Sequence, residues 1–431
     1  MEAGKDIKRW LTKGFWAVTD QGLFATSNFL LNILLARWLT PQEYGAFGLA
    51  FAVFLFVGSM QQATLIEPML VFGPGRYKER LPEYLGALIC GHLGFSALGS
   101  IALLLAGLGF ALRGSSAISD ALLALALAGP FILLLWLMRR ACYVRLEPRL
   151  AASGGACYMA LMVAGAFGLY WLGWLSTSTA LGVMGISSLV VSVWLMARLR
   201  VKLPSLRKDT FARDAMEHHW KYGRWSVANK ALAWVPHNIF YLLLPIWGGL
   251  AAGASFRALM NLLMPMLQAN AALAVLLLPV FVRTRESSTF GAQVRSALLP
   301  FVLASALYWA LLGIFHDPIV DLTYGGRYAE YAGLLWLLGL VPIVVAVKEV
   351  VSQSLRALER PDWLFFAFML SALVTMIVGA WLVYEWGLVG AGAGLVVSHG
   401  TAAVLVVALL VILQRRPSHA VVLASSEQEN R

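Results

Sequence analysis

Residues 118–140 read ISDALLALALAGPFILLLWLMRR, an apolar run with one acid near its start and two arginines at its end. A helix rises 1.5 Å per residue, so about 20 apolar residues cross the roughly 30 Å of hydrocarbon in a bilayer. Similar runs recur along the whole chain, which has 431 residues, 60% of them hydrophobic and only 13% charged. A soluble chain usually has about a quarter charged residues. The sequence therefore predicts an all-α polytopic membrane protein without a folded soluble domain.

Apolar windows between charged or Pro/Gly-rich breaks predict about twelve transmembrane helices. They cover residues 14–38, 44–66, 83–112, 118–140, 151–173, 176–198, 223–247, 253–281, 294–316, 329–356, 362–384 and 388–413. Several of these windows are longer than a bilayer requires, which predicts tilted helices or interfacial extensions. The three cysteines lie in or beside the windows and form no recognisable disulfide framework.

The cations alternate between the two sides of this predicted topology. Of the 33 lysines and arginines, 27 fall at the N-terminus, the C-terminus or the loops on their side, and only Arg37, Arg113 and Arg327 fall on the other side. Because Lys and Arg are enriched in cytoplasmic loops, the split predicts that both termini are cytoplasmic. It also explains the net charge of +11 without nucleic acid as a partner.

The longest basic segment, from Arg198 to Arg224, divides the predicted helices into two sets of six. We expect an N-terminal lobe at 1–200, a cytoplasmic linker at 201–222, a C-terminal lobe at 223–413 and a cytoplasmic tail at 414–431. Six is an even number, so the lobes enter the membrane in the same orientation, as in transporters built from parallel repeats. Similar turns recur about 210 residues apart, at 39–47 and 250–256 and again at 142–149 and 354–362, although short loops need Gly and Pro in any case.

Four stretches resemble the bacterial polysaccharide exporters, which are lipid-linked oligosaccharide flippases of the multidrug/oligosaccharidyl-lipid/polysaccharide exporter superfamily. They are LLARWLTPQEYG at 34–45, FRALMNL at 256–262, YGGRY at 324–328 and LRALERP at 355–361. The resemblance implies two six-helix lobes related by a pseudo-twofold axis around a central cavity that alternates between two open states. It also implies a polyprenyl-diphosphate-linked sugar as cargo and the bacterial inner membrane as location. Many relatives have further helices that form a groove for the lipid tail, and the sequence predicts none here.

Polar residues inside the predicted spans form three stripes at helical spacing. They comprise Gln21, Asn28 and Asn32 in the first span, Lys230, Trp234, His237, Asn238 and Tyr241 in the seventh, and Arg257, Asn261 and Gln268 in the eighth. Lys348 lies in the tenth span. An intramembrane cation usually faces a partner or a wet cavity because its insertion costs about 2.5–3.5 kcal/mol. We interpret Arg257, Lys230 and Lys348 as ligands of a diphosphate, and the amide and aromatic side chains as ligands of sugars.

Simpler interpretations stay open for the same residues. Asn and Gln also join helices by hydrogen bonds, cations also extend to headgroups, and Lys348 adjoins Glu349. His237 fits a packing role as well as proton coupling. Asp20 fits an ion pair with a cation of its lobe or a site for a coupling ion, and Glu67 fits an interfacial helix cap.

The sequence gives no support for an enzyme. The predicted outer loops are short, the phosphate-loop motif is missing, and no His/Cys set has zinc spacing, so we expect no cofactor and no metal. The predicted partners are the lipid-linked oligosaccharide and membrane lipids, with a polysaccharide polymerase and glycosyltransferases as candidates. Two other functions stay open: a drug or small-metabolite exporter of the same superfamily, and a non-transporting scaffold of a polysaccharide assembly complex.

Overall fold

The computed structural model describes residues 2–203, 210–287 and 289–415. Within these ranges the chain is helical throughout and contains no strand. The helices are α1 Glu2–Trp38, α2 Pro41–Gln61, α3 Glu67–Phe72, α4 Leu81–Leu112, α5 Ser116–Val144, α6 Pro148–Trp171, α7 Thr177–Arg198, α8 Thr210–Asn238, α9 Phe240–Trp247, α10 Gly249–Thr284, α11 Phe290–Ile314, α12 His316–Tyr324, α13 Leu335–Leu338, α14 Leu340–Ala357, α15 Pro361–Val374 and α16 Ala380–Arg415. The predicted all-α fold is confirmed.

Packing divides the chain into two compact units. Unit 1 contains Met1–Trp234, Tyr241–Asn261 and Thr323–Arg327, and unit 2 contains Val235–Phe240, Leu262–Leu322 and Tyr328–Arg431. Unit 1 thus combines the first six predicted spans with most of α8, with α9 and with the start of α10. The predicted lobe boundaries and the pseudo-twofold relation stay predictions.

Local sequence signals set where several helices begin. Thr40 caps α2 because its hydroxyl accepts a hydrogen bond from the Glu43 amide while the Glu43 carboxylate accepts one from the Thr40 amide. Pro41 occupies the first turn, where its missing N–H is not needed. Ser176 and Thr179 form the same reciprocal arrangement at the start of α7. These caps end the preceding turns sharply and keep neighbouring helices antiparallel.

Close packing in unit 1 depends on glycine in α2. A Cβ added to Gly45 would lie 1.9 Å from the backbone oxygen of Leu250, and one added to Gly48 would lie 3.0 Å from Cδ of Arg257. Because Gly45 has no side chain, the α2 backbone can touch the chain at the start of α10. Because Gly48 has none, the buried side chain of Arg257 has room beside α2.

Several long helices are interrupted. A π-helical turn at Gln62–Ile66 links α2 to α3, and a second at Thr375–Gly379 links α15 to α16. Pro236 lies in the last turn of α8, whose helix ends at Asn238, as expected for a proline that removes a backbone hydrogen bond. Gly387 is non-helical with φ +52° inside α16, which confirms the predicted break between the last two spans.

Nine segments of the described chain are long and apolar enough to cross a membrane. The last of them, Asp362–Leu413, has 52 residues and contains two predicted spans. The predicted spans 14–38 and 223–247 lie on helices that are not among the nine, so the count of twelve stays a prediction. The apolar side chains that face outward, such as Leu98, Leu105 and Leu307, are more than half exposed, as expected for a surface in contact with lipid.

The predicted linker 201–222 is helical from Thr210 onward, and its residues 204–209 lie outside the described residues. Its role as a linker stays a prediction. The tenth predicted span, 329–356, falls on a candidate membrane segment, Ala329–Ala357, which consists of a 3₁₀ segment, α13 and α14. One expectation needs correction. Arg139 was expected among the loop cations, yet it is buried inside α5. Of the predicted tail 414–431, residues 416–431 lie outside the described residues.

The core of unit 2 forms where α10, α11, α14, α15 and α16 meet. Its buried side chains include Phe281, Phe290, Val350, Leu355 and Val406. These aliphatic and aromatic groups fix the ends of the helices that carry Lys348 and the second part of α10.

Candidate substrate site

Arg257 occupies the centre of the candidate site in unit 1. It belongs to the third turn of α10, and only 7% of its surface is exposed. Its Nε donates a hydrogen bond to Oδ1 of Asn32 at 2.9 Å. Three aromatic rings surround the guanidinium carbon, with centroids at 5.0 Å for Phe47, 4.7 Å for Phe51 and 5.7 Å for Tyr241. Cation–π contacts of this kind contribute about 0.5–2 kcal/mol each.

Asn32 links the polar stripe of α1 to this arginine. Its Nδ2 donates to the Asn28 carbonyl at 2.8 Å, and its Oδ1 also accepts from the Tyr44 hydroxyl at 3.5 Å. Asn28 in turn donates to the Phe24 carbonyl at 3.0 Å. Gln21, the first member of the stripe, is exposed. The predicted stripe therefore reaches Arg257 through Asn32 alone.

Asn261 lies one turn after Arg257 and is 6% exposed. Among the described residues, its Nδ2 has no hydrogen-bond partner. A buried amide donor without a partner is costly, by about 1–3 kcal/mol. Asn261 is therefore the member of the α10 stripe with hydrogen-bonding capacity to offer a ligand.

Lys230 forms an ion pair that the sequence did not predict. Its Nζ lies 2.8 Å from Oε1 of Glu67, and each side chain is 30% exposed. The Ser226 hydroxyl donates a short hydrogen bond to the other carboxylate oxygen. Glu67 begins α3 after the π-helical turn, so this interruption of α2 and α3 places the acid. The next member of the stripe, Trp234, meets Phe56 edge to face, with ring centroids 5.3 Å apart.

Asp20 of α1 forms an ion pair with a cation of α5, which is one of the two roles that the sequence left open for it. Its Oδ1 accepts from Nη2 of Arg139 at 2.7 Å and from Nε at 3.1 Å. Its Oδ2 accepts from the Tyr143 hydroxyl at 2.7 Å. The guanidinium also lies 3.9 Å from the ring centroid of Phe24.

The other predicted site residues belong to unit 2. Lys348 is buried, and its Nζ lies 3.1 Å from Oε1 of Glu349, so the local ion pair expected from the sequence is present. The His237 ring packs edge to face against His399, with centroids 4.6 Å apart. Gln268 is exposed, and Asn238 is partly buried.

These contacts divide the intramembrane charges into compensated and uncompensated groups. Asp20, Lys230 and Lys348 each have an oppositely charged partner within 3.1 Å. Arg257, in contrast, has no carboxylate of the described chain within ion-pair distance, and it contacts an amide oxygen and aromatic rings. Unit 1 therefore contains a buried positive charge that is solvated by dipoles and π-electrons only.

Sequence reasoning missed four of the groups that shape this site. Phe47 and Phe51 read as ordinary apolar residues, although their spacing of four places both on one face of α2. Glu67 was interpreted as a cap, and Arg139 as a loop cation. No cluster of three or more His, Cys, Asp or Glu side chains in the part of the chain that the structure describes has the geometry of a metal site.

No protein-family model matches the chain, and no curated protein is significantly similar to it in sequence. Solved structures match it over almost its whole length. An inward-facing multidrug resistance MATE family transporter of the MOP superfamily has a TM-score of 0.79 at 14% identity, covering 93% of this chain and 99% of its own. The lipid II flippase MurJ, in an inward closed conformation, has a TM-score of 0.72 at 13% identity, covering 92% and 87%.

A third match is a MOP superfamily transporter from Pyrococcus furiosus, described by the reverse polarity of its binding pocket. Its TM-score is 0.63 at 15% identity, covering 91% of this chain and 92% of its own. The fold of the chain is therefore the fold of the MOP superfamily of transporters, as the sequence resemblance implied.

Proposed function

We propose that this protein is a membrane transporter that flips a polyprenyl-diphosphate-linked oligosaccharide, the repeat unit of a polysaccharide, across the bacterial inner membrane by alternating access. The single observation that carries the proposal is the buried charge of Arg257, which has no carboxylate partner among the described residues. A cation in that state attracts an anionic cargo, and a guanidinium binds phosphate oxygens in a bidentate way. The fold shared with the lipid II flippase supports a lipid-linked cargo.

The other residues receive roles that follow from their chemistry. Asn261 offers a free amide donor to the diphosphate or to the first sugar. Lys230 binds phosphate oxygens after they displace Glu67, because the ion pair is partly exposed and a ligand can reach it. Tyr241 supplies a ring face to a sugar. Gln21, Asn28, Trp234, Asn238, Gln268 and Lys348 are weaker candidates for cargo contacts, and Asp20 and His237 are candidates for ion coupling.

The second candidate is a drug or small-metabolite exporter. It is favoured by the TM-score of 0.79 to a multidrug resistance MATE transporter, which is higher than the score of 0.72 to the flippase. Cationic drugs, however, are expected to need an accessible intramembrane acid. Asp20, Glu67 and Glu349 each have a basic partner in this structure. Because these acids are already paired with bases whereas Arg257 is not paired with an acid of the described chain, an anionic cargo is favoured over a cationic one.

Reconstitution of the purified protein separates the two candidates. In proteoliposomes, we expect the protein to move a fluorescent polyprenyl-diphosphate oligosaccharide between leaflets, measured as the fraction of probe that external dithionite bleaches. We expect no gradient-driven uptake of ethidium in the same vesicles. Transport of ethidium with an unchanged leaflet distribution of the lipid-linked probe would overturn the proposal. Protein-free liposomes and the Arg257→Ala variant serve as controls.

The cellular setting is part of the proposal. The cytoplasmic position of both termini rests on the distribution of cations in the sequence, and the inner membrane rests on the resemblance to polysaccharide exporters. Glycosyltransferases that build the cargo and a polymerase that consumes it are the expected partners. Nucleic acid, a cofactor and an enzymatic activity are not expected.

A further inference from the structure

A basic and aromatic groove lies on unit 1, apart from the candidate substrate site. Its volume is about 900 Å³, and it lies where α6 begins and α7 ends, beside residues 12–16 of α1. The lining includes the cations Lys13, Arg149 and Arg198 and the indoles Trp16 and Trp194. All three cations belong to the side of the membrane that the sequence predicts to be cytoplasmic.

The cations and indoles form two contacting pairs. The guanidinium carbon of Arg149 lies 5.5 Å from the ring centroid of Trp16, and that of Arg198 lies 5.7 Å from the ring centroid of Trp194. Both arginines are exposed, so their charge is available to a ligand in the groove. The indoles limit the positions that the two side chains adopt, which reduces the entropy lost when they bind.

Along α7, the side chains at steps of four residues from Arg198 become more apolar with increasing depth in the predicted span. On α7, Arg198 is followed deeper into the predicted span by Trp194, then by Val190 at 51% exposure and Ile186 at 65% exposure. The order is charge, aromatic ring and aliphatic surface. This order matches the headgroup, the interface and the acyl region of one membrane leaflet.

The α6 face passes from charge to aliphatic surface through small side chains, and α1 exposes an apolar side chain near the groove. On α6, Arg149 is followed at the same spacing by exposed Ser153, exposed Cys157 and Leu161 at 39% exposure. On α1, Val18 is 73% exposed, just beyond Trp16. The groove thus joins a cationic end to an apolar surface that faces the bilayer.

From this arrangement we infer that the groove binds one anionic phospholipid of the cytoplasmic leaflet, with its phosphate held by Lys13, Arg149 and Arg198. The glycerol region lies against the two indoles, and the acyl chains follow the aliphatic surfaces of α6 and α7. This inference goes beyond the proposed transport function, because the groove is a permanent lipid site on one unit and not a path for cargo. Basic pockets between transmembrane helices on this side are typical binders of anionic headgroups.

Among the described residues, Glu147 is the one acid in the lining, and it provides a further test. It is exposed, and its nearest cation is Arg145, with a long ion-pair distance of 3.7 Å. Its charge opposes an anionic headgroup. Removal of that charge should therefore tighten lipid binding, which a purely structural role of the groove does not predict.

The experiment titrates the purified, delipidated full-length protein with phosphatidylglycerol and with phosphatidylcholine, and counts bound lipids by native mass spectrometry. We expect a saturable first site that prefers phosphatidylglycerol. The variant Lys13→Gln/Arg149→Gln/Arg198→Gln should bind it about tenfold more weakly or worse, since each cation near a lipid surface contributes to anionic-lipid binding. Glu147→Gln should bind it more tightly than the unmodified protein.

The matched control is Arg76→Gln/Lys78→Gln/Arg213→Gln, which removes three exposed cations of the same predicted side outside the groove. It should retain the first site. Equal affinity of the groove variant and the unmodified protein, or an equal loss in the control, would overturn the inference. Displacement of the lipid by glycerol 3-phosphate would also overturn it, because a small anion lacks the acyl chains that the apolar surface requires. Size-exclusion profiles check that each variant is folded.

Discussion

Arg257 and Asn32 are 225 residues apart in the sequence, yet Nε of the arginine donates a hydrogen bond to Oδ1 of the asparagine at 2.9 Å. This bond ties the start of α10 to α1 inside unit 1. It fixes the guanidinium edge that carries Nε and directs the rest of the group toward the rings of Phe47 and Phe51. The arginine is therefore oriented without being neutralised, which is the state expected of a residue that meets an anion.

The buried pair of Asp20 and Arg139 should make unit 1 sensitive to the loss of either partner. Asp20→Asn alone leaves Arg139 buried without its partner, and loss of one member of a buried pair costs about 3–5 kcal/mol. We expect a clear fall in the melting temperature measured by fluorescence-detected size-exclusion chromatography. The double variant Asp20→Asn/Arg139→Met should melt at a higher temperature than Asp20→Asn.

The exposed acid Asp120 gives the matched control for this pair. Asp120→Asn removes the same charge and should change the melting temperature by little, because an exposed acid contributes about 0–1 kcal/mol. An Asp20→Asn protein as stable as Asp120→Asn would show that the α1–α5 ion pair is not important for folding.

A close backbone contact makes Gly45 sensitive to a single methyl group. Its added Cβ would lie 1.9 Å from the backbone oxygen of Leu250, so Gly45→Ala must displace α2 or the start of α10. Gly22→Ala is the matched control, since no atom in the described chain lies within 4 Å of its added Cβ. Alanine also favours a helix over glycine by about 1 kcal/mol.

We expect Gly45→Ala to lower the yield of monodisperse protein and its melting temperature, and Gly22→Ala to leave both unchanged or slightly raised. The comparison uses the same purification and the same heating series for both variants. Equal behaviour of the two variants would show that the α2 contact tolerates a larger separation than the structure has.

The sequence predicted the helices of this protein better than their contacts. Each of the twelve predicted spans lies on helical chain, because a long apolar run allows only a helix in a bilayer. The π-helical turns and the break before α14 were missed, since the first turn contains no proline or glycine, and Gly379 and Gly339 look like the many glycines of unbroken helices. The interruption at Gly387 was predicted because polar and glycine residues at 385–387 separate two apolar runs.

The candidate site was predicted in part. Lys230 and Arg257 stood out because a cation inside an apolar run is rare, and a basic partner was one of the two roles left open for Asp20. The identity of the partners needed the structure: Arg139 adjoins a second arginine at a helix end, so sequence alone places it in a loop. Glu67 similarly precedes Pro68, which suggests a helix end, whereas a π-helical turn keeps the chain helical and brings the acid to Lys230.

The ion pair between Lys230 and Glu67 allows the structural and cargo-binding roles of Lys230 to be separated. Glu67→Gln/Lys230→Gln removes both charges together and leaves no unpaired ion. We expect normal membrane abundance with reduced flipping of the lipid-linked probe, because the second phosphate ligand is lost. Flipping at the normal rate by the double variant would show that Lys230 only forms the ion pair with Glu67 and does not bind cargo.

Both termini are predicted to lie in the cytoplasm, and alkaline phosphatase fusions measure this directly because the enzyme is active only outside it. A fusion after Arg415 should be inactive, and a fusion after Gly114, in the turn between α4 and α5, should be active. Immunoblots normalise the activity to the amount of fusion protein. An active fusion after Arg415 would invert the predicted topology and place the basic groove in the outer leaflet.

Flipping of a polyprenyl-diphosphate-linked oligosaccharide by Arg257 variants in proteoliposomes tests the central claim most directly. Arg257→Ala should reduce the initial rate about tenfold or more, because a hydrogen bond to a charged group contributes about 1.5–3 kcal/mol. Arg257→Lys should recover part of the rate, since lysine keeps the charge but not the bidentate geometry. Arg113→Ala, which removes an exposed arginine from an outer turn, should flip at the normal rate. Arg257→Ala with the rate of the unmodified protein, at equal reconstituted amount, would contradict the account.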